Sequence, residues 1–216
     1  MAVQIRVKLM KPTPSAIYDT YWQFAAERQA VFFRRMEQAI GPWTDDAILQ
    51  TYKFTNAYRA ADRVSQFLIS QVVYKGDSSP AETFFRILLF KTFNKIDTWE
   101  LLQGLLGELR WDAFSFTAYD EVLQTAMDQG ERIYSAAYIM TSGRSAFGHA
   151  RKHRNHLALL ERLMKERVWE QVQAAKSLEA VYSLLCSYPT IGPFLGFQYA
   201  IAVSYTHLTL PTICSV

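Results

Sequence analysis

The apolar positions of this chain recur at three- and four-residue spacing over most of its length, the period of a helix with one buried face. Across residues 17–40, Tyr18, Tyr21, Trp22, Ala25, Phe32 and Met36 keep that spacing with Arg28, Arg34 and Arg35 among them, and Gly41-Pro42 ends the run. Thr55 is a candidate cap for a second helix. In it Ala57, Ala61, Val64 and Leu68 form an apolar stripe, while Arg59, Asp62, Arg63 and Gln66 share the other face. After a turn at 76–79, Ser79-Pro80-Ala81-Glu82 is a helix start: Ser79 caps, Pro80 suits the first position and Glu82 completes a capping box. Residues 84–94 are apolar on nearly every side, which predicts a central helix with Phe85, Leu88, Leu89 and Phe93 buried. Asp97-Thr98-Trp99-Glu100 repeats the capping-box pattern, and further helices are expected at 118–129, 153–172 and 177–186. Strand signals are confined to 5–9 and 134–140, and there is no internal repeat or linker. The expected class is all-α.

Length and composition narrow the picture. With 216 residues, half of them apolar, the chain can bury one core or form two subdomains around a cleft. A net charge of +3 excludes a wholesale polycation, so a nucleic-acid surface must come from local clustering. Two cysteines, Cys186 and Cys214, give neither a disulfide framework nor a Cys-x-x-Cys metal site, which fits a reducing cytoplasm. Residues 1–11 lack the apolar core of a signal peptide, and no apolar stretch has the length of a membrane span. The expectation is a cytoplasmic protein without a membrane partner.

Three clusters carry candidate chemistry. The segment 143–156 holds His149, His153 and His156 among Arg144, Arg151, Lys152 and Arg154. That positive charge opposes a bound cation, so no metal is expected. The segment reads either as a phosphate-contacting basic loop or as a solvated helix start. Arg59, Asp62, Arg63 and Gln66 read either as a surface salt-bridge ladder or as part of a base-recognising face. Asn56 and the rings of Tyr52, Phe54 and Tyr58 favour the second. Arg86, Lys91 and Asn94 interrupt an apolar helix and must either line a cleft or rim the helix ends; Lys91 and Asn94 are spaced to face one site. There is no Gly-x-x-x-x-Gly-Lys-Ser/Thr phosphate loop, no Gly-x-Ser-x-Gly elbow and no dinucleotide fingerprint.

Near the C-terminus, residues 184–197 read as a helix, a tight turn at Thr190-Ile191-Gly192, and a second helix opened by Pro193. The hairpin resembles the helix-hairpin-helix of the helical DNA glycosylase superfamily, with Thr190 standing where that family has its first glycine. The stretches AERQAVFFRRM, PWTDDAILQTYKFTNAYRAADRVSQFLI, FFRILLFKTFNKIDTWELL, YSAAYIM, KHRNHLALLERLM and YPTIGPFLGFQYAI extend the likeness from residue 17 to about 202. Together they resemble the helical domain of 5-hydroxymethyluracil DNA kinases and the related glutamyl- and putrescinyl-thymine pyrophosphorylases.

The resemblance implies a helical glycosylase-like fold that acts on 5-hydroxymethyluracil, or its phosphorylated form, in double-stranded DNA. It implies phosphate contacts from Thr190, Ile191, Gly192, Arg144, Arg151, Lys152 and Arg154. A base pocket would comprise Arg28, Asn56, Arg59 and Asn94, with Asp62 and Lys91 as chemical groups. No cofactor is evident; a nucleoside triphosphate with magnesium would need a separate P-loop kinase or a further segment, because the family's P-loop domain is missing. Alternatives are a base-excising glycosylase and a non-catalytic DNA-binding module serving such a kinase. Residues 204–216 contain no Asp, Glu, Lys or Arg and have the look of a non-native tail on a domain spanning 1–203. On this reading the family's aspartate beyond the hairpin is expected to be absent.

Overall fold

The structure, a computed structural model, describes residues 13–136 and 140–205. The strand signal at 5–9 and residues 206–216 of the expected tail lie outside the described residues, as do 137–139 of the other strand signal. Every regular element among the described residues is helical, as the periodicity predicts. The chain divides into two compact units, Met1–Asp62 and Arg63–Val216.

In the first unit, helix α1 (Tyr18–Glu37) is followed by the short α2 (Ala47–Thr51), and the segment ends in a 3-10 turn (Arg59–Ala61). The chain folds back after α1 because Arg34 donates to the Trp43 carbonyl at 2.7 Å and Trp43 Nε1 donates to the Gln38 carbonyl at 2.9 Å. The Glu27 carboxylate then accepts from Arg34 at 2.6 Å and from the Thr44 hydroxyl at 2.7 Å, joining helix and loop. Asp46 caps α2 by accepting from the Ile48 and Leu49 amides.

The second unit is built around α4 (Pro80–Phe93), in which every residue from Glu82 to Phe93 is buried. Phe85, Leu88, Leu89 and Phe93 are among them, as their all-round apolar setting requires. The helix is surrounded by α3 (Arg63–Phe67) with its π-helical continuation (Leu68–Val73), α5 (Ile96–Leu106), α8 (Lys152–Lys165), α9 (Val168–Ala174) and α11 (Pro193–Ser204). α6 (Phe116–Asp128) packs on α5 and α8; the one-turn α7 (Arg144–Phe147) packs on α8; α10 (Leu178–Cys186) pairs with α11. Among the described residues no helix is long and apolar enough to cross a membrane.

Several local expectations are corrected. Thr55 caps no helix: the run expected as one helix is split, with Asp62 extended (ψ 143°) between the 3-10 turn and α3. Ser79 makes no side-chain cap, and Glu82 turns away from a capping box to accept from the Trp111 and Asp112 amides at 2.7 and 3.1 Å. A buried carboxylate is better compensated by two loop amides than by an exposed helix end. The capping box expected at 97–100 does not form either: α5 begins at Ile96 with Lys95 at the cap position and no side-chain cap, Asp97 lies inside the first turn, and Thr98 donates to the Ile133 carbonyl at 2.8 Å. The helix expected across 153–172 breaks where Arg167 takes a left-handed φ of 54°, separating α8 from α9. Ser204, expected to begin the tail, closes α11, and Tyr205 packs against the core.

Candidate nucleic-acid interface

The sequence-predicted residues fall into three groups. In the first unit, Arg28 reaches from α1 to the 52–62 segment, donating to the Thr55 carbonyl and, at 3.3 Å, to its hydroxyl. Its guanidinium lies over the Phe24 and Phe54 rings, 5.3 and 5.6 Å from their centres. Those contacts bind the segment to α1. Asn56 Nδ2 donates to the Ala61 carbonyl at 2.6 Å and closes the loop that carries Arg59, which is exposed. Asp62 ends the 3-10 turn with its amide on the Arg59 carbonyl. The shared helical face expected for Arg59, Asp62, Arg63 and Gln66 does not form, because the extended Asp62 backbone breaks the helical phase between Arg59 and Arg63. An open, mostly apolar groove of about 820 Å³ in this unit is lined by Ile17, Tyr21, Phe24, Ala30 and Ile48; Arg28, Asn56, Arg59 and Asp62 are not in its lining.

Lys91 and Asn94 do meet. Both are buried at the C-terminal end of α4, where Lys91 Nζ donates to Asn94 Oδ1 at 2.8 Å. Asn94 holds the left-handed cap position (φ 48°), a conformation that asparagine accepts more readily than most residues. Arg86 takes a different part. Buried at the other end of the helix, it donates to the carbonyls of Val72, Val73 and Asp77, satisfying the end of the π-helical turn.

The third group surrounds the start of α8. From Arg132 to Leu160 the sequence contains no Asp or Glu but includes Arg132, Arg144, Arg151, Lys152 and Arg154. Arg144 and Arg151 are exposed. Arg154 is committed to Asp120 at 2.8 Å, and Lys152 Nζ lies 4.5 Å from the centre of the Tyr134 ring, where burial lowers its pKa. The three histidines do not share a face. His149 precedes α8 and lies beside Phe116; His153 is fully buried on Asp120 at 2.7 Å; His156 lies between Tyr134 and Thr141.

The geometry fixes the His156 tautomer. A carbonyl only accepts, so Nε2–H donates to the Thr141 carbonyl at 2.8 Å and Nδ1 accepts the Tyr134 hydroxyl at 2.7 Å. Burial drives the His156 pKa down to about 4 and that of His153 below its ordinary value. For Asp120, burial pushes the carboxyl up, but hydrogen bonds from Arg154 and His153 outweigh it and leave the pKa lowered.

The hairpin places its turn against this basic segment. Thr190 adopts φ 72°, a left-handed backbone that a β-branched residue disfavours, at the position where the resemblance implies glycine. Its Cγ2 comes within 3.4 Å of where a Cβ on Gly143 would stand. The Gly192 carbonyl accepts the first bond of α11 from Gly196, and Pro193 at the first position carries no N–H. The Ile191 amide, expected to contact phosphate, already donates to the Tyr188 carbonyl at 3.2 Å, and its side chain is buried. Tyr188 in turn donates to Glu166 at 2.7 Å, anchoring the turn to the end of α8. Sequence reasoning missed Asp120, Tyr134 and Asn155, which orient this segment. Their partners are 6 to 34 positions away and no helical spacing marks them.

The family model described as "5-hmdU DNA kinase, helical domain" matches residues 15–211. The 5-hmdU DNA kinase of Bacillus phage SP10 is 24% identical over 208 residues, covering 91% of this chain and 32% of that protein. The chain therefore spans about a third of the length of that relative. No solved structure shows a significant match to the chain.

Proposed function

We propose that this chain, which belongs to the helical-domain family of 5-hmdU DNA kinases, takes part in thymine hypermodification by engaging 5-hydroxymethyluracil, or its phosphorylated form, in duplex DNA. The family match over residues 15–211 carries this reading. Arg144 and Arg151 are the exposed cations that suit backbone phosphates, together with the turn at Thr190 and Gly192. Chemistry on a base requires its extrusion from the stack. In this reading Arg28, Asn56 and Arg59 of the first unit contact the extruded base. Exposed Arg59 faces the added oxygen, since a guanidinium offers fixed donors that thymine's methyl cannot use. Asp62, in the same unit, is the proposed group to orient Arg59 or take a proton.

A second reading is a module that presents DNA to a P-loop kinase, a role that suits a match to a family described as a helical domain. A competition titration with duplexes carrying thymine, 5-hydroxymethyluracil and its phosphorylated form tests both. Wild type should prefer a modified duplex, and Arg59→Ala should remove the preference while leaving nonspecific affinity in place. Adding nucleoside triphosphate and magnesium then separates the readings. Phosphorylated base formed by this chain alone makes it the enzyme, whereas preference without turnover makes it the presenting module. No preference among the duplexes overturns the base pocket.

A further inference from the structure

The basic segment and the hairpin turn meet at one seam, and a single buried side chain builds it. Asn155, only 1% exposed, uses each of its strong hydrogen-bonding groups on one loop. Its Nδ2 donates to the Ser142 carbonyl at 2.7 Å and to the His149 carbonyl at 2.9 Å, while Oδ1 accepts the His149 amide at 2.9 Å. Both ends of residues 142–149 are thereby tied to α8. Gly143 and Gly148, at φ 66° and 80°, bracket the one-turn α7 between the tied ends, and Gly148 returns its amide to the Arg144 carbonyl at 2.8 Å. A Cβ at Gly143 would stand 2.9 Å from Asn155 Cβ and 3.4 Å from Thr190 Cγ2, so loop, α8 and hairpin turn touch at that glycine. A carboxylate at position 155 would face two carbonyl oxygens, and an alkyl group would leave three polar groups without a partner. The loop so fixed carries the exposed Arg144, and exposed Arg151 follows it at the start of α8.

We propose that the 142–149 loop and the 187–192 turn form one composite grip on a DNA backbone, with Asn155 as the positioning residue that sets the spacing of Arg144 and Arg151 to the turn. The inference rests on the DNA-engaging reading above. It adds that the two prongs act as a unit, because a loop held at both ends and seated on the turn cannot shift independently of it.

Anisotropy titrations of the full chain with a duplex across a salt series, at active fractions set by stoichiometric titration, test the inference. Asn155→Leu should weaken binding about tenfold and flatten the slope of log K against log salt by roughly one for each phosphate no longer engaged. In that background Arg144→Ala should cost almost nothing further, although alone it weakens binding several-fold. A purely structural role would lower the melting temperature and the active fraction while leaving the slope intact, and that result overturns the proposal. Where Asn155→Leu fails to fold, Gly143→Ala, which strains the left-handed backbone at φ 66° and crowds the seam, should flatten the slope in the same way; an unchanged slope there also overturns it. Wild type that binds no duplex defeats the DNA-engaging reading itself, whereas wild-type binding with additive effects of the two substitutions defeats only the composite grip.

Discussion

Helices α1 and α4 are both rich in aromatic rings and both follow a helical period, yet they end in opposite environments. From Glu82 to Phe93, α4 buries every residue, whereas α1 buries none, leaving Tyr21, Trp22, Phe33 and Met36 more than half exposed. The difference lies in the neighbours each helix has. Five helical elements surround α4 and remove both faces from water. Within its own unit α1 has a five-residue helix and a loop, and Asp19, Glu27, Arg34, Arg35 and Glu37 are distributed around it. A unit of this size buries too little surface to hold by apolar contact alone. The ties identified in it are polar, cation–π or a single aromatic edge contact: Glu27 with Arg34 and Thr44, Arg28 with Thr55, Phe24 and Phe54, and Phe24 with Phe54, ring centres 5.1 Å apart. The second unit is held by its core, and the first largely by contacts at its surface.

The largest expected effect tests that contrast directly. Phe84 is 0% exposed on α4, so Phe84→Ala should destabilise the second unit by about 4 kcal/mol, combining lost transfer energy with a cavity among close-packed neighbours. Phe33→Ala on α1, where the ring is 53% exposed, should change stability by no more than about 0.5 kcal/mol. Urea denaturation of the two variants, monitored by far-UV circular dichroism, measures both. Similar losses would show that the α1 stripe is covered in solution and would remove the contrast.

Acid should also separate the units, with a smaller effect. The His156 pKa is depressed to about 4 in the folded state, against about 6.5 when unfolded, so the unfolded chain takes up its proton first as pH falls. Stability associated with neutral His156 is complete above about pH 6.5 and is lost progressively down to pH 4, by about 3 kcal/mol in all. His153, also depressed by burial, acts in the same direction. The first unit contains no histidine; its Glu27 carboxyl is lowered by hydrogen bonds from Arg34 and Thr44 and loses its contribution only below the ordinary carboxylate range. Denaturation at pH 7, 5.5 and 4.5, compared with His156→Gln, isolates the histidine. A stability profile flat from 7 to 4.5 would mean that His156 is not held neutral against Tyr134 and Thr141.

How legible these arrangements were in the sequence depended on their range. All-round apolarity across 84–94 was sufficient to place α4 at the centre, because a helix without a polar face has no stable position at the surface. Lys91 and Asn94 meet because three positions along a helix bring side chains together. Misreadings occurred where a short-range rule met a long-range partner or a shifted helix start. Glu82 fits a capping box, but the amides at 111 and 112 hold it; Asp97 fits another, but α5 begins one residue earlier, at Ile96, and leaves it inside the first turn. Arg154 is tied at 2.8 Å to Asp120, 34 positions earlier, a partner that no local spacing shows. Asn155 carried no signal, because a buried amide is recognised only by the two loop ends it joins.

The smallest expected effect concerns Thr190, whose left-handed backbone sits in the turn that meets the basic segment. A β-branched residue there costs about 1–2 kcal/mol relative to a glycine, which adopts φ 72° without a Cβ clash. Against this, Thr190→Gly returns about 0.5–1 kcal/mol of chain entropy to the unfolded state and removes the methyl that packs at Gly143. The balance favours the variant by about 0.5 kcal/mol, to be read as a rise in the urea midpoint at unchanged slope. A destabilised Thr190→Gly would mean that the methyl contact outweighs the backbone strain. Threonine would then stand in the turn as the packing element between hairpin and loop, and the contrast between a core-held unit and a contact-held one would extend into the second unit, at its own surface.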